Sequence, residues 1–119
     1  MENPVKPDEL RDLVVDTLED HKAIDVVSLE VGKVTVIADH MVIASGTSNR
    51  HVNALSDHVL HSIKERKGLI NGVEGRESCE WVLIDLGDVL VHLMQQETRS
   101  FYDLERLWGD FPTDSETQV

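Results

Sequence analysis

The sequence predicts an α/β (α+β) fold: a single domain in which a mixed β-sheet of about four to five strands is flanked by helices. Its 119 residues suffice for one ordinary domain but not for two cores. Segments with helical spacing alternate with β-branched runs in the order α, β, β, α, β, β, α. A composition of 40% hydrophobic and 29% charged residues is typical of a globular protein. We expect the domain to span residues 1–109 and a flexible acidic tail to follow over 110–119.

The first half of the chain predicts one helix and two strands. Apolar residues between Leu10 and His21 recur at helical spacing, and Pro7 suits a helix start, so a helix is expected over 8–21. The β-branched run from Ile24 to Val31 and the segment "HMVIASG" predict strands. Between them, "KVTVIAD" fits either an extension of a hairpin or a short helical turn.

The second half predicts a helix, a hairpin and a last helix. In "TSNRHVNALSDHVLHSIKERKG" four residues share one helical face, Thr47 or Ser48 supplies the N-cap oxygen, and Gly68 the stop. The loop "LINGVEGRESCE" leads to "WVLIDLGDVLVHLM", whose two apolar arms flank Gly87 as an antiparallel hairpin. The segment "ETRSFYDLERLWG" spaces Phe101, Leu104 and Trp108 as another helix face, before the polar tail "DFPTDSETQV". The four residues that share a helical face in "TSNRHVNALSDHVLHSIKERKG" are Val52, Leu55, Val59 and Ile63.

The charge and the cysteine count restrict the function. Eleven basic residues against 23 acidic ones give a net charge of −12, which disfavours direct nucleic-acid binding. The acidity favours a basic protein partner, or serves solubility alone. The single Cys79 excludes an intramolecular disulfide and a multi-cysteine zinc site, and we expect it to be buried or half-buried in a reducing cytosol. Without an apolar leader or membrane-length run, a cytoplasmic location is expected.

The hairpin carries polar groups within an apolar run. Strand alternation predicts Trp81, Leu83 and Asp85 on one face and the residues between them on the other, with His92 near Trp81 or Leu83. On the second arm Leu90, His92 and Met94 share a face. A face that mixes tryptophan, leucine, methionine, aspartate and histidine is typical of an interface core. It could equally be a buried face that a helix covers, and the residues alone leave both interpretations open.

Three other motifs could carry chemistry, and each has a structural explanation. "SGTSNRHV" lacks the further glycines and the lysine of a phosphate loop, so helix capping explains it. His51, His58 and His61 are too widely spaced for one metal ion and fit a solvated helix flank. Asp85 and Asp88 are separated by a Leu-Gly turn and lack the Asp-x-Asp spacing of two-metal catalysis. A small nucleotide-binding or nucleotidyltransferase enzyme that uses the Gly46 loop and Asp85 stays as the alternative.

Three segments together resemble the ribosomal silencing factor family, also called Iojap-like proteins: "ADHMVIASGTSNRHV", "GVEGRESCEWVLIDLGDVLVHLM" and "ETRSFYDLERLWG". The resemblance implies a nucleotidyltransferase-like topology without catalytic acids, and no enzymatic activity, metal or cofactor. It also implies a translational repressor that binds the large ribosomal subunit through ribosomal protein uL14 and blocks association with the small subunit under nutrient limitation. A part in large-subunit maturation is a further expectation. Independently of the resemblance, an exposed edge of the hairpin could make a homodimer of the free protein, which is compatible with either function.

The resemblance also implies which residues face the partner. The tryptophan, aspartate and histidine of the family's hairpin match Trp81, Asp85 and His92 of this sequence. The expected partner-binding set is Trp81, Val82, Asp85, Leu86, His92 and Met94, with Glu97, Arg99 and Tyr102 as additions.

Overall fold

A computed structural model of the protein describes residues 5–33 and 35–102, with the backbone alone for 100–102. The elements are α1 Pro7–Asp20, β1 Ile24–Glu30, β2 His40–Gly46, α2 Asn49–Glu65, β3 Gly72–Glu74, β4 Trp81–Asp85, β5 Val89–Gln95 and α3 Gln96–Tyr102. The predicted α/β fold class is confirmed. The predicted tail, and the part of the last helix with Leu104 and Trp108, lie outside the described residues. None of the described helices has the length and apolar character that a membrane span requires.

The five strands form one mixed sheet in the order β1-β2-β5-β4-β3. β2 and β5 pair in parallel, and the other neighbouring strands pair antiparallel. The extra strand is β3, which lies in the segment predicted to be a loop and places Glu74 opposite Leu83. Three residues are too few for a two-residue period to be visible in a sequence, so only pairing with β4 defines this strand.

The main core lies between one face of the sheet and helices α1 and α2. The helix residues Val52, Leu55, Val59 and Ile63 are all fully buried, as their spacing predicted. α1 contributes further buried residues, and the sheet contributes every second residue of its central strands. These buried residues are Leu10, Val14 and Leu18 of α1, Val42 and Ala44 of β2, Val82 and Ile84 of β4, and Val89, Val91 and Leu93 of β5.

Local hydrogen bonds set the ends of α2. Ser48 is the N-cap, and its hydroxyl accepts from the His51 backbone N–H at 3.1 Å. At the other end the left-handed residue is Lys67, with φ 61°, and the Gly68 N–H donates to the Ile63 carbonyl at 2.8 Å. Gly68 thus follows the left-handed position of this C-terminal motif instead of occupying it.

Over its described residues 33 and 35–39, the segment that was expected to extend a hairpin or form a helical turn belongs to no regular helix or strand. Its start forms a single turn, in which the Thr35 N–H donates to the Val31 carbonyl at 3.0 Å, and the Val31 N–H donates to the Asp39 carbonyl at 2.9 Å beside the β1–β2 pair. The segment is tied to the hairpin turn, because the backbone N–H groups of Asp39 and His40 both donate to the Asp88 carbonyl, at 2.8 and 3.1 Å. Val36 and Ile37 in this loop are 103% and 65% exposed. Neither side chain contributes to the core between the sheet and its helices.

Candidate partner-binding face

The sheet has a second face, which α1 and α2 do not cover. Strand register brings together on it alternate residues of four neighbouring strands. We call this surface the tryptophan face. It consists of Leu29, Met41, Ile43, Trp81, Leu83, Asp85, Leu90, His92 and Met94.

Part of the tryptophan face is closed by the chain itself. Met41, Ile43 and Met94 are buried, and α3 packs on β5 and β2. The Arg99 side chain, 8% exposed, donates to the Ser45 hydroxyl at 3.0 Å and to the Ile24 carbonyl at 3.3 Å. Arg99 therefore fixes α3 against the sheet from inside the protein.

The part of the tryptophan face on β4, together with the neighbouring Leu90 and His92 of β5, is only half covered. Trp81, Leu83, Asp85 and Leu90 are half-buried, and His92 lies among them with 9% of its surface exposed. We call these five residues the open part of the tryptophan face. It is the place on this face where a partner could contact apolar side chains.

Trp81 and His92 form a hydrogen-bonded pair across the hairpin. His92 lies directly opposite Leu83, so Trp81 is its diagonal neighbour, as the sequence predicted. The indole Nε1–H donates to His92 Nδ1 at 2.9 Å, with the ring centroids 5.8 Å apart. Burial lowers the pKa of His92 from 6.5 to about 4. The imidazole is therefore neutral at neutral pH.

Asp85 shapes the turn that follows it. Its Oδ1 accepts from the Gly87 backbone N–H at 2.9 Å, and Gly87 has φ 87°, a conformation that favours glycine. The Asp88 N–H donates to the Leu86 carbonyl at 3.1 Å, so Asp88 is the turn residue that the sequence predicted. Glu74, exposed and paired with Leu83, adds a second carboxylate beside the open part. Sequence reasoning missed Glu74 because the three residues of β3 leave no strand period in the sequence.

Four of the expected partner-facing residues lie inside the protein. Val82 and Leu86, 0% and 1% exposed, point to the helix side of the sheet, Met94 is fully buried, and Arg99 holds α3. A partner that docks on the folded protein cannot contact these side chains. The two-residue period of a strand already predicted that Val82 and Leu86 lie on the opposite face of the sheet from Trp81. The expected partner-binding set therefore conflicted with the strand pattern at these two residues.

The two remaining additions lie on α3. Glu97 is exposed, whereas the side chain of Tyr102 is outside the described part. Leu83 and Leu90 were absent from the expected set, yet register and exposure place them with Trp81 and Asp85.

The other motifs of interest make separate local contacts. His58 stacks on His21 with ring centroids 3.5 Å apart, and His61 pairs with Glu65 at 3.1 Å. His51 Nδ1 accepts from the Thr47 backbone N–H at 3.0 Å. Across residues 5–33 and 35–102, no three potential ligand side chains converge on a metal position.

The glycine that ends β2 has a packing role. A Cβ at Gly46 would stand 2.9 Å from Val52 Cγ2, so glycine lets α2 approach the sheet. Cys79 is buried, as expected.

The sequence profile described as "Ribosomal silencing factor during starvation" matches residues 4–119. The chain belongs to the ribosomal silencing factor family. Among curated relatives, the ribosomal silencing factor of Chromobacterium violaceum is 46% identical over 85% of this chain and 83% of its own length. The mouse protein named "Mitochondrial assembly of ribosomal large subunit protein 1" is 34% identical over 82% of this chain and 44% of its own.

A crystal structure of a Chromobacterium violaceum protein is similar in fold. Its TM-score is 0.85 at 44% identity, covering 87% of each chain. In the present structure, the segments that resemble the ribosomal silencing factor family fall on β2 with the start of α2, on β3 to β5, and, over the described residues of the third segment, on α3. They therefore include both arms of the hairpin that carries the open part of the tryptophan face.

Proposed function

We propose that this protein is a non-enzymatic translational repressor that acts in the cytoplasm. It binds the large ribosomal subunit through ribosomal protein uL14 and sterically blocks association with the small subunit, which lowers translation under nutrient limitation. The observation that carries the proposal is a partly exposed, tryptophan-bearing sheet face in a member of the ribosomal silencing factor family.

The composition of the open part supports protein binding. Trp81, Leu83 and Leu90 provide apolar area of the kind that forms the centre of an interface, and tryptophan is enriched among residues that dominate binding energy. Asp85 and Glu74 add negative charge at its rim. With a net charge of −12, the protein favours a basic protein surface over the phosphates of ribosomal RNA.

Repression of this kind needs no covalent step. A folded body of 13.4 kDa on the intersubunit surface occupies space that the small subunit needs. The fraction of blocked subunits then follows the concentration and affinity of the protein.

A part in large-subunit maturation is a second proposal, and the name of the mouse relative favours it. A protein that stays on the large subunit until assembly is complete would use the same binding face. The two roles differ in timing and not in the contact.

The two features that would support the enzyme alternative, Asp85 and the Gly46 loop, have structural roles in the fold. One Asp85 oxygen accepts the Gly87 N–H, and Gly46 makes room for Val52. Calorimetric titration with ATP and Mg²⁺ tests the alternative directly, because saturable micromolar binding would support a nucleotide site.

Sedimentation with purified subunits tests the repressor proposal. Large subunits are pelleted through sucrose with and without the protein, and small subunits are then added. We expect the protein to pellet with large subunits and to reduce the fraction of joined ribosomes. Leu83→Arg should abolish both effects, because it places a positive charge on the binding face against a basic partner.

Leu60→Arg is the matched control for that substitution. Leu60 is a half-buried leucine on α2, on the opposite side of the sheet. Equal loss of binding by the two folded variants, or normal subunit joining in the presence of wild type, would contradict the proposal.

A further inference from the structure

The hydrogen bond between Trp81 and His92 decides which imidazole nitrogen carries the proton. An indole N–H can only donate, so His92 Nδ1, 2.9 Å away, must accept. A neutral imidazole has one proton, which then resides on Nε2. Trp81 thereby fixes the tautomer of His92.

The Nε2–H group of His92 has no hydrogen-bond partner among the described residues. Nε2 is not among the enclosed side-chain atoms without a partner in the described part of the chain, and 9% of the His92 surface is exposed. Its neighbours across the two adjacent strands are Leu83 and Ile43, which have no side-chain acceptor. The open part of the tryptophan face therefore has a single fixed donor surrounded by apolar side chains.

Covering this donor has an energetic consequence. A partner that docks on Leu83 and Trp81 removes water from the Nε2–H group. A polar group that loses water without gaining a hydrogen bond opposes binding. A well-matched partner must therefore offer an acceptor at this point.

We propose that His92 Nε2–H is a specificity-determining donor, and that the partner places an uncharged oxygen, a backbone carbonyl or a hydroxyl, against it. This inference rests on the proposed function and adds the chemistry of the contact. A carboxylate is disfavoured as the acceptor because Asp85 and Glu74 lie beside the open part and would repel it. His92 is a contact residue in this scheme, and Trp81 is both a contact and a positioning residue.

Two substitutions at one position test the donor. His92→Leu removes both ring nitrogens and keeps apolar volume. His92→Gln keeps a side-chain N–H that can donate outward and an oxygen that can accept from the Trp81 indole. We expect leucine to weaken binding to purified large subunits by about tenfold and glutamine by less than about threefold.

The reference for both variants is wild-type binding to the same subunits. If wild type binds and His92→Leu binds equally well, the inference is wrong and the proposed function stands. If wild type does not bind, both are wrong.

Nitrogen NMR of histidine-labelled wild type provides a test that does not depend on the folding of a variant. In the free protein we expect the Nε2–H tautomer of His92. On addition of isolated uL14, the Nε2–H proton should shift and exchange more slowly with water, because an oxygen now accepts it. An Nδ1–H tautomer in the free protein, or an unchanged Nε2–H signal in a formed complex, would overturn the inference.

Discussion

The two faces of the sheet show how one strand can serve stability and recognition at once. On β4, Ile84 is fully buried under the helices, while its neighbour Leu83 is half-buried on the tryptophan face. The helix side of the central strands is almost entirely aliphatic, whereas the tryptophan face includes an indole, an imidazole and a carboxylate. A shift of one residue along the strand therefore decides whether a side chain supports the fold or is available to a partner.

The largest loss of stability is expected from a substitution on the helix side of the sheet. Ile84→Ala should lower the free energy of unfolding by about 3 kcal/mol, because it leaves a cavity in a packed core. Leu83→Ala should lower it by less than about 1 kcal/mol, because Leu83 is already partly in water. Urea unfolding of both variants measures the difference.

Subunit binding by the Leu83→Ala and Ile84→Ala variants distinguishes the two faces of the sheet further. Leu83→Ala should weaken binding to large subunits, while the folded fraction of Ile84→Ala should bind as wild type does. Equal losses of stability for the two variants would show that the tryptophan face is as closed as the helix side.

The sequence predicts which residues of β4 and β5 share a face of the sheet. It does not predict all the contacts that cover the tryptophan face. Alternation is local, so the sequence alone suffices to place Trp81 and Leu83 on the same side of the strand. The burial of Arg99 depends on the Ser45 hydroxyl, 54 positions away in sequence, and no local pattern encodes that contact. β3 was missed for the same reason, since its definition is its pairing.

The expected binding set shows a different source of error. Val82 and Leu86 entered it through the family resemblance, although the strand period placed them on the opposite face from Trp81. Matching a motif by position identifies the element that matters, but the side-chain direction within that element has to come from the pleat.

Acid should lower the free energy of unfolding, because it protonates His92 on the tryptophan face. The pKa of His92 is lowered to about 4, so the folded state favours the neutral ring. The stabilising contribution is complete above the unfolded pKa of 6.5 and is lost as the pH falls toward 4. Between about pH 7 and about pH 5 the loss from this group should reach about 2 kcal/mol.

Because carboxylates also titrate, the measurement is a difference between wild type and His92→Gln in urea unfolding at the two pH values. His58→Gln is a useful control. Burial and His21 also lower the pKa of His58, but this residue lies at the surface of the helix pair and should contribute less. A wild-type pH dependence that survives His92→Gln unchanged would show that His92 is not the group responsible.

Removing the indole should separate packing from tautomer control. Trp81→Ala should reduce affinity for large subunits by about 2 kcal/mol, or roughly thirtyfold, because it deletes a central anchor and releases His92. Trp81→Phe keeps aromatic area but cannot donate to His92 Nδ1, so it should give a smaller loss. Cosedimentation at several concentrations measures both, and circular dichroism checks that each variant is folded. Wild-type affinity of folded Trp81→Ala would exclude Trp81 from the contact.

Substitutions of Asp85 should have the smallest effects. They distinguish a change in the free energy of unfolding from a change in affinity for the partner. Asn at this position can still accept the Gly87 N–H, so Asp85→Asn should change the free energy of unfolding by less than about 0.5 kcal/mol. It removes a negative charge beside the open part, so affinity for a basic partner should fall by less than about 1 kcal/mol, with a weaker dependence on salt. Asp85→Ala loses the turn hydrogen bond as well and should destabilise the hairpin by about 1 kcal/mol. If both variants were equally destabilised, the charge itself would support the turn, and Asp85 would belong with the helix side as a residue of the fold.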